Sequence, residues 1–278
     1  MVSKFATAMA VAGAMLLVPS VALGETSAEA GGPAERFKQK KPDVKWQPDV
    51  EAARNYAKGR ASGVSFAVVD LQGQLYKFNG GRSAYMASTF KAMMLATYLR
   101  RNSVEDRDLT GTEKALLGPM IRASNNETTT ALRNITGAAA VNRLAKKAGM
   151  RSFRQQAAWG LSQTTPRDQA RFMQNFESFI PDRHERYARR LLATVIPSQR
   201  WGIPRARPTG WDVFFKGGWG VRGVNHQVGF LNRNRCRVAL AIHTEANPSH
   251  AYGQQTLQGV ANRLFRGLGT KRVRRACG

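Results

Sequence analysis

The chain has 278 residues, with 43 Lys and Arg against 18 Asp and Glu, a formal net charge of +25 and two cysteines. That length holds one large domain or two small ones, and a hydrophobic share of 42% excludes a disordered polycation. Two cysteines and four scattered histidines (His184, His226, His243, His250) argue against a disulfide-rich scaffold and against a metalloenzyme; no cofactor and no metal are expected.

Residues 1–24 read as a signal peptide. Lys4 is the only charge ahead of Glu25, an apolar run spans Phe5 to Leu23, and Ala22 and Gly24 are the small residues of a processing site. The expected location is therefore secreted or cell envelope. No later stretch is long and apolar enough to span a bilayer. Export removes the nucleic-acid partner that the charge first suggests, and leaves anionic envelope polymers as the fitting one. An oxidising compartment also lets Cys236 and Cys277 pair. Residues 25–45, rich in Gly, Ala, Pro and Lys, form a flexible lead-in.

The folded domain is expected over residues 46–268. A helix runs from Pro48 to Gly59, with Val50, Ala53, Tyr56 and Ala57 along one side. Val64 to Val69, a Gln72-Gly73 turn, then Leu75, Tyr76 and Phe78 make a β-hairpin. Ser88 to Arg101 is strongly helical, and the chain from Glu113 to Phe179 is helix-rich. Strand signals return at Val213, Asn225 and Cys236, and a last helix covers Ser249 to Phe265. Strands at both chain ends and helices between them predict an α/β half built from both termini. An all-α half, about 102–205, is inserted between them. Residues 269–278 form a basic tail.

Three short segments carry chemistry. Ser88-Thr89-Phe90-Lys91 opens the most apolar helix of the domain, so serine and lysine share one face. Burial lowers a lysine pKa, and a partly neutral Lys91 can take the Ser88 proton. The same spacing also fits an N-cap serine beside a snorkelling lysine. Ser124-Asn125-Asn126 lies between two helices, where a hydroxyl can relay a proton and an amide can orient substrate. A plain polar loop reads the same way. Lys216-Gly217-Gly218 ends a strand before Trp219, leaving room for a substrate beside the backbone and an N–H for an oxyanion. A bulge or turn would look similar.

SxxK, SxN and K-x-G in this order resemble the class A β-lactamase and penicillin-binding transpeptidase superfamily. The likeness runs from about Pro48 to Phe265 and includes Tyr85-Met86-Ala87 ahead of the serine. It implies a β-lactamase/transpeptidase-like α/β fold, an antiparallel sheet flanked by helices with an all-α subdomain. It implies Ser88 as acylated nucleophile, Lys91 as base, Ser124 as proton shuttle and Lys216 as its electrostatic support. Asn126, Gly217, Gly218 and Trp219 would line the substrate cleft, with the Ser88 and Trp219 N–H groups as oxyanion hole. Thr164-Thr165-Pro166-Arg167-Asp168 resembles the helix start after the Ω loop, and reads physically as a capping box from Thr165 to Asp168.

Three departures stand out. Between Glu127 and Asp168 there is no Asp or Glu, so the Ω-loop glutamate that activates the deacylating water is missing. Gln155, Gln156 and Gln163 could hold a water but are poor bases. Gly217 lacks the hydroxyl that would meet a substrate carboxylate, with Arg222 as a substitute. The segment from Ser88 to Ser124 is trimmed relative to the family. The resulting expectation is an exported serine hydrolase that is acylated by β-lactams at Ser88 and deacylates slowly. The alternatives are a D,D-peptidase or esterase acting on cell-wall peptides or small acyl compounds, and a non-catalytic envelope-binding protein.

Overall fold

The computed structural model describes residues 42–220 and 223–278; residues 1–24, expected as a signal peptide, most of the expected lead-in and Arg222 lie outside the described residues. The chain builds a five-stranded sheet from β1 (Gly63–Val69), β2 (Leu75–Phe78), β5 (Asp212–Trp219), β6 (Asn225–Arg233) and β7 (Cys236–Glu245). Two short strands, β3 (Ala84–Tyr85) and β4 (Gln163–Thr164), form a separate pair. The large sheet has the order β2-β1-β7-β6-β5, with every neighbour antiparallel. The first hairpin closes as its sequence predicts: Gly73 takes φ 77°, and Asp70 Oδ1 accepts from the Gln72 and Gln74 N–H groups. β5 is an edge strand, which leaves one row of its backbone groups free for a ligand.

β1, β5, β6 and β7 are buried on both faces. Phe66, Val68, Phe215, Leu231, Leu240 and Ile242 meet α1 (Val50–Lys58) and α8 (His250–Leu264) on one side. Ala67, Val69, Phe214, Val228, Phe230 and Ala241 meet α6 (Pro166–Gln174) and α2 (Phe90–Leu99) on the other. All ten residues of α2 are buried. A helix apolar all round has to be enclosed, and α3 (Gly111–Arg122), α4 (Asn126–Thr136), α5 (Ala138–Lys147) and α7 (Asp182–Ala193) pack around or beside it. α6 lies in the middle of the helix-rich stretch yet packs on β7 and β1, so it serves the sheet.

Two segments read as loose from composition are tied to the body. Pro42 and Val44 are buried, and Trp46 Nε1 donates to the Arg266 carbonyl. The basic tail is a helix, α9 (Lys271–Ala276), capped by Thr270 and anchored through buried Val273. A Cys236–Cys277 disulfide closes it onto β7. Arg272 and Arg275 face outward while Val273 and Cys277 point inward.

Candidate active site

Ser88 sits in a 3₁₀ turn, Ala87–Thr89, that precedes α2. The helix predicted from Ser88 therefore begins in the α form only at Phe90. Ala87 takes φ 45°, a left-handed conformation costing a non-glycine residue about 1–2 kcal/mol. That turn aims Ser88 toward the sheet edge. It is braced from behind: Thr89 Oγ1 donates to the Met86 carbonyl (2.6 Å), and Gln169 Nε2 donates to Thr89 Oγ1 (2.9 Å). His243 Nε2 donates in turn to Gln169 Oε1 (2.6 Å). His243 is fully buried and its pKa is pushed well down by burial, so it stays neutral and serves as a fixed donor.

Lys91, the second residue of α2, is fully buried. Its ammonium nitrogen donates to Ser124 O (2.5 Å), Ser124 Oγ (3.2 Å) and Asn126 Oδ1 (2.7 Å). Burial pulls its pKa from 10.5 down to about 7. Among the described residues Ser88 Oγ makes no hydrogen bond, so in this resting geometry the serine hydroxyl is free to turn toward Lys91 or Ser124.

Ser124 is presented by a tight exit from α3. The Asn125 N–H donates to the Pro119 carbonyl, Ser124 takes φ 59°, and Asn125 caps α4 by accepting from Thr128 N–H (2.8 Å). Asn125 is thus structural, whereas Ser124 and Asn126 on either side of it face the lysines. Ser124 Oγ also accepts from Lys216 Nζ (3.0 Å), which donates besides to the Gly217 carbonyl (2.8 Å). Lys216 is fully buried, and desolvation together with the nearby Lys91 charge lowers its pKa well below the usual lysine range. One hydroxyl bridging two desolvated amines is a relay: Lys91 can hold or give up a proton near neutral pH, and Ser124 Oγ joins it to Lys216.

β5 carries Lys216 and Gly218 on one face, Gly217 and Trp219 on the other. A Cβ at Gly218 would lie 2.7 Å from Ser88 N and 2.8 Å from Thr89 N, so only glycine lets the strand pass the nucleophile turn. The Gly220 N–H bonds inward to Val224 O. By alternation the Trp219 N–H points out to the free edge, on the side of the Ser88 turn. It joins the N–H of Ser88, which belongs to the opening turn of the helix and has no intrahelical partner. A Cβ at Gly217 would lie 3.2 Å from Trp201 Cη2, so an indole edge occupies the place of the missing hydroxyl. Arg222, the expected substitute, lies outside the described residues.

The segment between α5 and α6 holds no acid. Asp168 is buried; its backbone N–H donates to Thr165 Oγ1, as a capping serine or threonine requires. Its carboxylate turns instead to Ser152 N–H (2.7 Å), so the box is one-sided and Asp168 pins the loop. Gln155 lies among Arg133, the Ala138 carbonyl and Asn142, and Gln163 pairs with Arg154 and accepts from Ser83. The loop residue that does reach the site is Trp159. Its ring centroid is 5.0 Å from Lys91 Nζ and 5.9 Å from the Phe90 ring, and its Nε1 donates to Thr130 Oγ1 (3.2 Å). Trp159, Gln169 and Trp201 carry no motif in the sequence; a lone Trp in a polar, acid-free loop is the one signal it offers.

The profile of the beta-lactamase enzyme family matches residues 108–268, a span that holds Ser124 and Lys216 and begins beyond Ser88. No curated protein sequence matches the chain. The fold is shared with a beta-lactamase from Sphaerobacter thermophilus (TM-score 0.70, 20% identity, covering 81% of this chain and 98% of that one). It is shared likewise with a class A beta-lactamase from Mycobacterium abscessus (0.68, 17%, 80% and 100%). A class A beta-lactamase from Bacteroides cellulosilyticus aligns similarly (0.69, 15%, 80% and 97%).

Proposed function

This chain belongs to the beta-lactamase enzyme family, and on that premise we propose that it is an exported enzyme acylated at Ser88 by β-lactams and slow to release the acyl group. The fold and family make it a β-lactamase-like serine hydrolase. The observation that carries the assignment of roles is Ser124 Oγ held between Lys91 Nζ and Lys216 Nζ beside the Ser88 turn.

In the proposed reaction neutral Lys91 takes the Ser88 hydroxyl proton as Oγ attacks the carbonyl carbon. The resulting oxyanion is held by the Ser88 and Trp219 N–H groups. As the C–N bond breaks, Ser124 gives its proton to the departing nitrogen and is reprotonated from Lys91 or Lys216. Asn126 keeps Lys91 oriented and offers its amide to the substrate.

The second half-reaction needs a base to activate water, and none of the groups available on the loop is one. Asp168 is occupied by Ser152, Gln155 is held by α4 and α5, and the Trp159 ring stands over Lys91. The acyl-enzyme is therefore long-lived. Export is supported by the leader-like residues 1–24 and by the Cys236–Cys277 disulfide, which belongs in an oxidising compartment. Among the described residues no helix is long and apolar enough to cross a membrane.

Intact-mass measurement after penicillin treatment tests the reading. A stable adduct on Ser88, absent in Ser88→Ala, is expected, with little turnover of a coloured cephalosporin. Rapid return to unmodified protein would refute slow deacylation. The absent water-activating acid also favours a second reading, a D,D-peptidase acting on wall peptides. Release of terminal D-Ala from a wall pentapeptide would select it.

A further inference from the structure

The end of β6 remote from the nucleophile carries a set of cations that the reaction does not use. Arg233, Lys271, Arg274 and Arg275 line an open depression of about 490 Å³ between β6 and α9. Gly278 completes the lining, so four of its five residues are basic and none is acidic or aromatic. Arg235, at the β6–β7 turn, and Arg272, on α9, extend the patch. Among the described residues none of these six cations forms an ion pair. Asp212 stands opposite Asn232 in the sheet, but it is exposed and joins none of them. His226 pairs with Gly218 beside the Ser88 turn, and at about 3.3 Å per residue Arg233 lies roughly 23 Å further along β6.

The fold holds these charges together against their repulsion. α9 has no acid in its first turn, and Lys271–Arg274, Arg272–Arg275 and Lys271–Arg275 are like-charged neighbours on its surface, which oppose a helix. Its six residues are also too few to be helical alone. The Thr270 cap, buried Val273 and the Cys236–Cys277 disulfide supply what the sequence of the helix does not. The guanidinium groups are oriented by backbone carbonyls, which fix a cation without neutralising it. Arg233 Nε donates to Arg274 O (3.1 Å) and its Nη1 to Gly210 O (2.9 Å), while Arg235 Nη2 donates to Ala276 O (2.9 Å). Arg274 Nε is buried and has no hydrogen-bond partner among the described residues. An unpaired buried donor beside a depression ringed by like charges is an unmet demand for an anion.

The shape and lining of the depression select among anions. Guanidinium forks match phosphate oxygens, and a lysine adds a point charge. A single carboxylate would answer one of four cations, whereas successive phosphates on a chain answer them in turn. With no aromatic ring in the lining there is no platform on which bases stack. A lipid surface would need an apolar face beside the charges. Val273 points inward instead, and the exposed large apolar residues, Ile135 and Leu161, belong to α4 and to the turn before β4.

We propose that the depression between β6 and α9 binds the phosphate groups of a linear phosphodiester polymer without bases, a sugar- or polyol-phosphate chain, and holds the protein on it with the Ser88 cleft open. Binding there is independent of the chemistry at Ser88.

The experiment uses the full chain and two probes, inorganic tripolyphosphate in calorimetric titration and poly(glycerol phosphate) in a salt series. The variant Lys271→Gln/Arg275→Gln removes two exposed cations of the depression whose side chains make no hydrogen bond among the described residues. Arg143→Gln/Lys146→Gln removes the same charge from the exposed side of α5. Circular dichroism checks that both variants keep the fold. The patch variant is expected to bind tripolyphosphate about tenfold more weakly than wild type, and the α5 variant to stay within about twofold. For the polymer, the slope of log K against log salt should become shallower by about 1.4 in the patch variant, as two lost phosphate contacts require. Equal weakening in the two variants would overturn the proposal, because net charge alone would then account for binding. Absence of binding by wild type to either probe would overturn it as well. Patch-dependent binding to phosphatidylglycerol vesicles without binding to the polymer would overturn it in favour of a membrane surface.

Discussion

Lys91 provides the sharpest test, because its burial makes one side chain answerable in both stability and rate. Its pKa drops from 10.5 to about 7 by desolvation. The unfolded chain therefore binds a proton at Lys91 that the native state does not, over the window between those two values. The sign follows: native stability rises with pH from about 7 to 10.5, and the gain is absent at lower pH, where both states are protonated. Three and a half pKa units correspond to about 5 kcal/mol of penalty at acid pH, vanishing above the unfolded value. Lys91→Met removes this titration but also strands Ser124 O and Asn126 Oδ1, so its absolute stability mixes two effects of similar size. The pH slope does not mix them. Urea unfolding of both proteins should show wild type gaining about 1.4 kcal/mol per pH unit over Lys91→Met between about pH 7.5 and 9.5. The burial of Lys216, the larger cause of its lowered pKa, is common to both proteins. The acylation rate of wild type should rise with pH through an apparent pKa near 7, since only neutral Lys91 accepts the Ser88 proton. Parallel stability curves would refute a desolvated Lys91. A rate flat from about pH 6 to 9 would refute its role as base.

Gly218→Ala would force the strand off Ser88 N and Thr89 N, both backbone atoms within 2.8 Å of the new Cβ. Adduct formation with penicillin should fall by about 100-fold, the effect of losing an oxyanion donor, while the circular dichroism spectrum is retained; unchanged acylation would contradict the strand–turn geometry. Replacing both Cys236 and Cys277 by Ser opens a loop of sequence separation 41 and should cost about 4 kcal/mol in denaturant unfolding. Proteolysis should then cut first at Arg residues of α9, and a protease pattern identical to wild type would show that Val273 alone docks the tail.

The parts of this protein that were legible in the sequence are those governed by local rules. The hairpin at Gln72-Gly73 follows from a turn that needs a positive φ, and α2 follows from a mostly apolar run. The Thr165 cap follows from a hydroxyl three residues before an N–H. Ser88, Lys91, Ser124 and Lys216 could be picked out because their spacing within each segment, and the order of the segments, restrict the chemistry. The acid-free stretch from Glu127 to Asp168 was likewise plain, since absence of a residue type is a property of sequence alone.

The tertiary structure decided what those residues touch. Nothing local says that Lys91 gives its three protons to Ser124 and Asn126 rather than to Ser88, because those partners arrive from a different helix. The Asp168 carboxylate reads as half of a reciprocal box until Ser152 is seen folded against it. The tail reads only as basic until Val273 and Cys277 are found buried. Trp159 over Lys91, and Trp201 against Gly217, are contacts between segments far apart in the chain. Hydrogen bonds and turns act over a few residues and leave a mark in the order of side chains. Desolvation and ring packing depend on which distant surfaces meet, and that is settled only when the sheet closes on its helices. The composition of the segment before α6 thus says that it holds no acid, and the fold says which residues stand there.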